Sequence, residues 1–306
     1  IRKAAISTHM PEGVFSMIHG ASHETGQHLA QHPQLAAIAF TGSFRGGKAL
    51  YDTATRRAVP IPVFAEMGSV NPVFFLPGLL KEKAAALATQ FLQSITMGVG
   101  QFCTNPGMFI TPDKTTAAAF VSALQEGIAG LPTGYMLTPG ILEAYNSGIA
   151  HLRSQGAKLL GAAGTADHQA TPYLLQVSAA QAIENPAICH EVFGPSSLHI
   201  NADTKEELYN LARGLEGQLT VTIHGTEEDL QQHKDLIDIL REKAGRLIIN
   251  GFPTGVAVNH AMVHGGPWPA TTPAAGTSVG SAAIYRFCRP VCFQDFPGYL
   301  LPAELQ

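Results

Sequence analysis

Short apolar runs alternate with amphipathic stretches along this chain, and the alternation predicts an α/β fold. Residues 35–40 and 61–66 are predicted to be buried strands, and residues 22–32 and 44–57 show the apolar spacing of helices. A further run at residues 15–20 ends in glycine and predicts an earlier strand. Because strands separated by helices are joined by right-handed crossovers, this region predicts a parallel sheet.

Two longer helices follow, and a glycine-rich loop separates them. Residues 81–97 place Leu87, Phe91 and Ile95 four positions apart, and residues 113–129 repeat this spacing. Residues 98–107 contain three glycines and one proline, which are expected to end both helices.

The second half of the chain predicts another alternating unit. Predicted strands cover residues 197–200, 219–224 and 246–250, and one helix is predicted over residues 226–243. Thr204 and Glu207 form a capping-box pattern, which predicts that a helix begins there. The tail after residue 250 is rich in Gly, Pro and Thr, and it predicts loops with one late strand near residues 286–293.

Composition limits the classes of protein to which the chain can belong. Of its 306 residues, 45% are hydrophobic and 14% are charged, which suits a folded protein of about two domains. The net charge of −4 comes without a basic cluster, so no nucleic-acid partner is expected. No apolar run is long enough to predict a membrane span.

The number of cysteines and the first residues of the chain indicate where in the cell the protein is expected. Four cysteines are too few for a disulfide-stapled secreted domain, so we expect reduced thiols and a cytoplasmic protein. The chain begins with Ile1 and shows no targeting pattern, so we expect that it opens inside a longer protein or after processing.

Cys103 is the first candidate for chemistry, because it lies in the glycine-rich loop instead of a helical or strand stripe. A glycine-rich backbone lets N–H groups come close to a reacting oxygen. The alternative is a structural cysteine, since most cysteines are buried and unreactive. Taken by itself, the residue leaves both interpretations open.

Glu66 is the second candidate, at the end of an apolar predicted strand and just before Gly68. A partly buried glutamate has a raised pKa and can act as a base near neutral pH, which is what we expect of Glu66. The alternative is an ordinary glutamate at a strand end.

Two turns from strand to helix are candidates for binding phosphate. Gly42 and Ser43, with Gly47 close behind, open the predicted helix at residues 44–57, and a helix N-terminus favours anions. Gly20 and Gly26 bracket a similar turn. Neither turn matches the Gly-x-Gly-x-x-Gly fingerprint, so each signal is weak alone.

Glu191 and Phe193 stand before a Gly-Pro turn and suit the edge of a ligand. A carboxylate commonly holds ribose hydroxyls, and an aromatic ring packs on a planar ligand. This phrase too is weak by itself.

In their order along the chain, these phrases resemble the NAD(P)-dependent aldehyde dehydrogenase superfamily. The resemblance covers the family's cofactor turn, its Glu-x-Gly-x-x-Asn motif, its cysteine motif and its cofactor-holding motif, at residues 40–43, 66–71, 100–103 and 191–195. Residues 64–68 and 265–269 resemble the branch with ketoglutarate semialdehyde and NADP-linked fatty aldehyde dehydrogenases. Residues 263–267 read Val-His-Gly-Gly-Pro, where many members carry Pro-Phe-Gly-Gly.

The resemblance implies that an aldehyde is oxidised to a carboxylic acid with NADP or NAD, and the branch favours NADP. Cys103 would form a thiohemiacetal and then a thioester, which a water activated by Glu66 would hydrolyse. Glu191 would hold the nicotinamide ribose, Phe193 would flank the nicotinamide, and Ser43 would face the pyrophosphate. No metal is implied.

The implied architecture is the α/β aldehyde dehydrogenase fold. Residues 1–72 would be a parallel-sheet, Rossmann-like remnant of the cofactor domain, and residues 73–270 the α/β catalytic domain. Residues 271–306 would carry an oligomerisation strand, so a homodimer or homotetramer is expected of the intact protein. The family's oxyanion-hole Asn has no counterpart here and is expected before Ile1.

Two other functions stay open at this stage. A truncated, non-catalytic fragment would bind or oligomerise with a missing N-terminal portion. A cysteine hydrolase or acyl transferase would work without nicotinamide, but residues 40–43 and 191–193 would then have no purpose.

Two smaller features are not expected to carry chemistry. The pairs His28/His32 and His260/His264 each stand four residues apart, but no third ligand is suggested, so a metal site is not expected. Residues 288 and 292, both cysteines, are predicted to serve packing.

Overall fold

The computed structural model describes residues 1–20 and 22–306. The described chain divides into two compact units, Ile1–Ala65 and Glu66–Gln306. The domain borders at residues 72 and 270 remain predictions. In the described part, every helix is too short or too polar to cross a bilayer.

The first unit holds three helices and a two-stranded sheet among its described residues. They are α1 (Arg2–Ser7), α2 (Glu24–Gln31), β1 (Ile38–Thr41), α3 (Phe44–Thr55) and β2 (Val63–Glu66). The predicted helices and strands between residues 22 and 66 therefore lie where the apolar pattern placed them.

The strand predicted at residues 15–20 is wrong. These residues have no regular structure, and Phe15, Met17 and Ile18 are exposed. A strand forms only against a partner that accepts its backbone hydrogen bonds, and the described residues offer this run none.

The second unit is built on a seven-stranded sheet in the described chain, in the order β5-β6-β7-β4-β3-β8-β9. Its strands are β3 (Val73–Phe75), β4 (Met108–Thr111), β5 (Lys158–Ala162), β6 (Tyr173–Ser178), β7 (Ser196–Asn201), β8 (Gln218–His224) and β9 (Ala244–Ile249). Its helices are α4 (Pro77–Thr96), α5 (Lys114–Ala129), α6 (Pro139–Ser154), α7 (Ala179–Glu184), α8 (Lys205–Gly214), α9 (Glu227–Gln232) and α10 (Lys234–Arg241). All neighbouring strands run parallel except β5 and β6.

Both faces of this sheet are covered, which explains the continuous apolar runs of its strands. Val73 and Phe75 face the layer that contains α4 and α5, whereas Phe74 faces the opposite layer. The parallel register brings the carboxyl ends of β3, β4 and β8 to one edge of the sheet.

The capping box at Thr204 and Glu207 is confirmed, because the Thr204 hydroxyl accepts from the Glu207 N–H and the Glu207 carboxylate from the Thr204 N–H. The single helix predicted over residues 226–243 is wrong, because it breaks at His233 into α9 and α10. The Asp229 carboxylate on α9 accepts from the Gly78 and Leu79 N–H groups at the start of α4. These hydrogen bonds hold α9 against the start of α4, whereas α10 packs against the hydrophobic core.

The strand predicted near residues 286–293 is also wrong. Residues Ser281–Phe287 form a 3-10 helix, and the segment that follows has no regular structure. Cys288 and Cys292 are exposed, so the packing role predicted for them is wrong as well. Pro290 lacks the N–H that a ladder needs.

Candidate active site

Glu66 ends β2 and is held at its position by the backbone of residues 270–271. The Met67 N–H donates to the Ala270 carbonyl over 2.8 Å, and Glu66 forms an antiparallel bridge with Thr271. Its side chain is buried, with 4% of the residue exposed.

The turn after Glu66 is shaped by one side chain from β8. Gln218 Oε1 accepts hydrogen bonds from the backbone N–H groups of Val70 and Asn71, at 2.9 and 3.2 Å. Asn71 adopts a φ of 48°, a left-handed conformation that Asn tolerates better than most residues. Gln218 therefore stabilises a turn that the backbone alone would not favour.

Asn71 joins the Glu66 segment to the Cys103 loop. Its side-chain amide nitrogen Nδ2 donates to the carbonyl oxygens of Cys103 and Asn105, at 2.9 and 3.0 Å. The last residue of the Glu-x-Gly-x-x-Asn motif thus holds the segment of Glu66 against the loop of Cys103. This contact explains why the motif ends in asparagine.

The loop before Cys103 packs closely against residues 191–195. Gly100 has a φ of 65°, and a Cβ at this position would lie 2.3 Å from the carbonyl carbon of Gly194. The Asn105 side chain also donates to the Gly194 carbonyl over 3.1 Å. Only glycine fits at position 100, so the glycine of the cysteine motif is required by this contact.

His264 is the site residue that sequence reasoning missed. Its Nε2 lies 3.4 Å from Cys103 Sγ, and its Nδ1 lies 2.8 Å from Glu66 Oε2. The Ser278 hydroxyl donates to the same Glu66 oxygen. The only signal in the sequence was the histidine of residues 263–267, where the resemblance led us to expect phenylalanine.

The backbone around His264 fixes its ring between sulfur and carboxylate. The His264 N–H donates to Thr277 Oγ1, and the Ser278 N–H donates to the His264 carbonyl, both over 2.8 Å. Cys103 remains half-buried, whereas His264 and Glu66 are buried. The sulfur is thus the member of the group that a ligand can reach first.

His264 and Glu66 carry opposite charges in this group of residues. Hydrogen bonds to Cys103 and then to Glu66 raise the pKa of His264 to about 9, although burial opposes them. Burial raises the pKa of Glu66, but the hydrogen bonds from His264 and Ser278 outweigh burial, so the net pKa of Glu66 is lowered. The raised pKa expected for Glu66 is therefore wrong, because its cationic neighbour comes from a segment 198 residues away along the chain.

The positively charged His264 ring lies 3.4 Å from Cys103 Sγ, and the sulfur is the nucleophilic atom of this group. Arg246 is a second positively charged side chain that interacts electrostatically with Cys103. Its guanidinium is held by the carbonyls of Pro253 and Gly255, at 2.9 and 3.3 Å. The arrangement can add a sulfur nucleophile to a carbonyl carbon.

Glu191 lies against the turn that follows Glu66. A Cβ at Gly68 would stand 2.4 Å from Glu191 Oε2, so only glycine leaves room for this carboxylate. Burial raises the pKa of Glu191 to about 7, although a hydrogen bond with the Ser69 backbone opposes it. Phe193, in the same segment, is 37% exposed.

The phosphate-binding candidates of the first unit are placed as follows. Residues 40–43 join β1 to α3, and Ser43 Oγ accepts from the Gly46 N–H over 3.2 Å as the N-cap of α3. Gly42 is exposed and Gly47 is buried. Gly20 and Gly26 are exposed, and Gly20 follows no strand, so the strand-to-helix turn expected there is wrong.

Comparison with known proteins identifies the family. The sequence model described as "Aldehyde dehydrogenase family" matches residues 1–286. The chain belongs to the aldehyde dehydrogenase family. Within it, the chain is 47% identical to alpha-ketoglutaric semialdehyde dehydrogenase 2 of Azospirillum brasilense and 45% identical to alpha-ketoglutaric semialdehyde dehydrogenase of Acinetobacter baylyi. Both matches cover 100% of this chain and 59% of the relative, so the chain spans about three fifths of their length.

Solved structures share the fold. Gamma-glutamyl-gamma-aminobutyraldehyde dehydrogenase from Burkholderia cenocepacia aligns with a TM-score of 0.76 at 22% identity, over 93% of this chain and 57% of that protein. Proline utilization A from Bradyrhizobium japonicum also aligns with a TM-score of 0.76, at 20% identity, over 94% of this chain and 29% of that one. These similarities concern the fold alone. They agree with the α/β aldehyde dehydrogenase fold that the motifs indicated.

Proposed function

We propose that the protein carrying this chain oxidises an aldehyde to a carboxylic acid, with a nicotinamide dinucleotide as hydride acceptor. The observation that carries the proposal is the continuous contact from Cys103 through His264 to Glu66. This contact supports the proposal because it joins a half-buried sulfur to a buried cation and a buried carboxylate. Membership of the aldehyde dehydrogenase family supports the reaction class.

In the first half of the reaction, the Cys103 thiolate attacks the aldehyde carbon and forms a thiohemiacetal. Bound NAD(P)+ supplies the acceptor for the hydride that leaves this carbon, and a thioester on Cys103 results. The sulfur then carries an acyl group, which weakens the hydrogen bond between Cys103 and His264, the largest cause of the raised pKa of His264. We propose that His264 releases its proton to solvent at this stage.

In the second half, Glu66 activates the water that hydrolyses the thioester. While His264 is protonated, it keeps the Glu66 carboxylate a weak base. Loss of the imidazolium charge strengthens Glu66 as a base at the moment when the thioester needs hydrolysis. Water gives its proton to Glu66 and its oxygen to the acyl carbon, and Cys103 leaves as the thiolate.

Each of the two units contains residues that suit a part of a dinucleotide. In residues 66–306, the Glu191 carboxylate suits the ribose hydroxyls and the exposed Phe193 ring suits the nicotinamide. In residues 1–65, the start of α3 at Ser43 suits a phosphate. Gly42 and Gly47 would keep that turn free of side chains. NADP is proposed over NAD because of the branch that the sequence resembles.

For the substrate, we propose a short semialdehyde with a carboxylate at its far end. The names of the two relatives support this class, since both are alpha-ketoglutaric semialdehyde dehydrogenases. The test compares kcat/KM for such a semialdehyde and for an aldehyde of equal length without the carboxylate. Equal values would contradict the proposed substrate class while leaving the reaction class intact.

The proposed reaction is tested with Cys103→Ala in the natural protein. We expect NAD(P)H formation to be lost while dinucleotide binding, measured by fluorescence titration, is retained. Cys288→Ala is the matched control, because Cys288 is exposed and should leave turnover unchanged. Normal turnover by Cys103→Ala would refute the proposal.

We also propose a homodimer or homotetramer and a cytoplasmic location. Light scattering would check the oligomeric state, and cell fractionation would check the location.

Glu66→Gln separates the two halves of the reaction. We expect one equivalent of NAD(P)H per site in a rapid burst, followed by slow turnover, because hydrolysis of the thioester needs the carboxylate. A variant with slow hydride transfer and no burst would instead place Glu66 in the first half.

A further inference from the structure

Beyond aldehyde oxidation, we propose that the active site is also a binding site for Zn²⁺. Cys103 Sγ and His264 Nε2 are the two protein ligands, Glu66 orients His264, and solvent occupies the remaining positions. Metal binding rests on geometry alone, whereas its consequence for activity, reversible inhibition, rests on the proposed function.

The distance between the two ligand atoms already suits zinc. Sγ and Nε2 lie 3.4 Å apart. Zinc bonds to sulfur at about 2.3 Å and to imidazole nitrogen at about 2.0 Å, so a tetrahedral site separates the two atoms by roughly 3.6 Å. The ion therefore fits with an adjustment of a few tenths of an ångström, without movement of either backbone.

The other imidazole nitrogen is arranged as it is at many zinc sites. Nδ1 lies 2.8 Å from Glu66 Oε2, so a proton on Nδ1 points at the carboxylate. Zinc displaces the other proton of the imidazolium from Nε2 to solvent, and the Nε2 lone pair then binds the metal. Ligating histidines almost always pass their second N–H to a carboxylate or carbonyl in this manner. One ligand atom from each of Glu66, Cys103 and His264 lies within 4.8 Å of the others.

The chemistry of the atoms selects the ion. Thiolate and imidazole are ligands for zinc, whereas magnesium and calcium require oxygen atoms. The negative charges of the Cys103 thiolate and the Glu66 carboxylate balance the two charges of the ion.

The partial burial of Cys103 determines how the ion reaches the site. The sulfur is half-buried, so the ion can reach it from the side on which an aldehyde would approach. Coordination uses the lone pair with which Cys103 attacks the aldehyde carbon, so zinc and substrate exclude each other. No bond of the protein is broken, and a chelator should restore the enzyme.

The experiment titrates the natural protein with Zn²⁺ in competition with a chromophoric chelator. We expect one equivalent of bound zinc, loss of this equivalent in Cys103→Ala and in His264→Phe, and a 10- to 100-fold weaker affinity in Glu66→Gln, roughly the range for carboxylates behind a ligating histidine. Co²⁺ serves as a second probe, and its thiolate-to-metal absorption band should be absent in Cys103→Ala. A large excess of Mg²⁺ should not displace either ion.

Matched controls address the other thiols and histidines. His260→Phe and the double variant Cys288→Ala/Cys292→Ala alter exposed residues and should keep the full equivalent. Circular dichroism melting of each variant checks that the fold persists. Retention of the equivalent in Cys103→Ala, or its loss in the cysteine double variant, would overturn the zinc site.

The two proposals fail separately in these measurements. Zinc that binds at Cys103 without loss of aldehyde oxidation would contradict the proposed function and leave the metal site standing. An enzyme that depends on Cys103 but binds zinc elsewhere would contradict only the metal site.

Discussion

Two groups of buried histidines in residues 66–306 experience opposite electrostatic effects. His199 and His224 lie within the sheet, where their rings stack on Phe109 and Phe75 with centroids 4.6 and 5.0 Å apart. Burial lowers the pKa of each to about 4. His264 is also buried, yet its contacts with Cys103 and Glu66 raise its pKa to about 9.

The comparison shows that the neighbours of a buried histidine decide its charge. Burial in the sheet removes water from His199 and His224 and supplies no negative charge, whereas the sulfur of Cys103 and the carboxylate of Glu66 both favour the imidazolium of His264. The two groups also affect stability at opposite ends of the pH scale. The sheet histidines contribute stability above pH 6.5, their unfolded pKa, that is lost as pH falls. His264 contributes stability below pH 6.5 that is lost as pH rises through about 9.

The largest effect is expected from His264→Phe, which replaces the charged imidazolium of the site with an uncharged aromatic ring. Without the imidazolium, Cys103 loses the partner of its thiolate, and we expect kcat/KM at neutral pH to fall by about 10²- to 10⁴-fold. Steady-state kinetics across pH measure this change. His224→Phe is the matched control and should keep the activity, so an equal loss in both variants would contradict the comparison.

The second-largest effect is expected on the free energy of unfolding at acidic pH. Lowering a pKa from 6.5 to about 4 corresponds to about 3 kcal/mol for each sheet histidine, lost as pH falls from 6.5 to 4. The double variant His199→Phe/His224→Phe should flatten the fall in the free energy of unfolding over this range. Denaturant titrations at several pH values measure it, and an unchanged slope would show that other groups dominate.

Gln218→Leu should have a smaller effect on stability. It leaves the buried N–H groups of Val70 and Asn71 without their acceptor, which costs about 1–3 kcal/mol. Because this turn sets Glu66 against Cys103, kcat should fall as well. Gln231→Leu, at an exposed position of α9, is the control. A stable Gln218→Leu variant with normal turnover would remove Gln218 from the site.

The smallest effect is expected from Ser278→Ala. This change removes one hydrogen bond that lowers the pKa of Glu66 and keeps the bond from His264. We expect a loss of about 1 kcal/mol in the free energy of unfolding and an upward shift of the acidic limb of the pH–rate profile. A shift as large as that of His264→Phe would mean that Ser278, not His264, controls the carboxylate.

Motifs predicted more of the site than residue chemistry did. Cys103 and Glu66 were predicted because Glu66 begins one recognisable motif and Cys103 ends another, and Asn71 of the Glu66 motif donates a hydrogen bond to the Cys103 carbonyl. His264 was not found, because 198 residues separate it from Glu66. Its spacing to His260 suggested a helical pair, whereas its partners come from distant segments.

The sequence by itself determined the local elements with their own signals: amphipathic helices, apolar strands, the capping box at Thr204 and the glycine-rich break before Cys103. It also determined the family, because motifs preserve order and spacing. Tertiary structure alone decided the break at His233, the absence of the late strand and the charge of His264 and Glu66. These properties depend on contacts between segments far apart in the chain, and a local pattern of residues contains no information about such contacts.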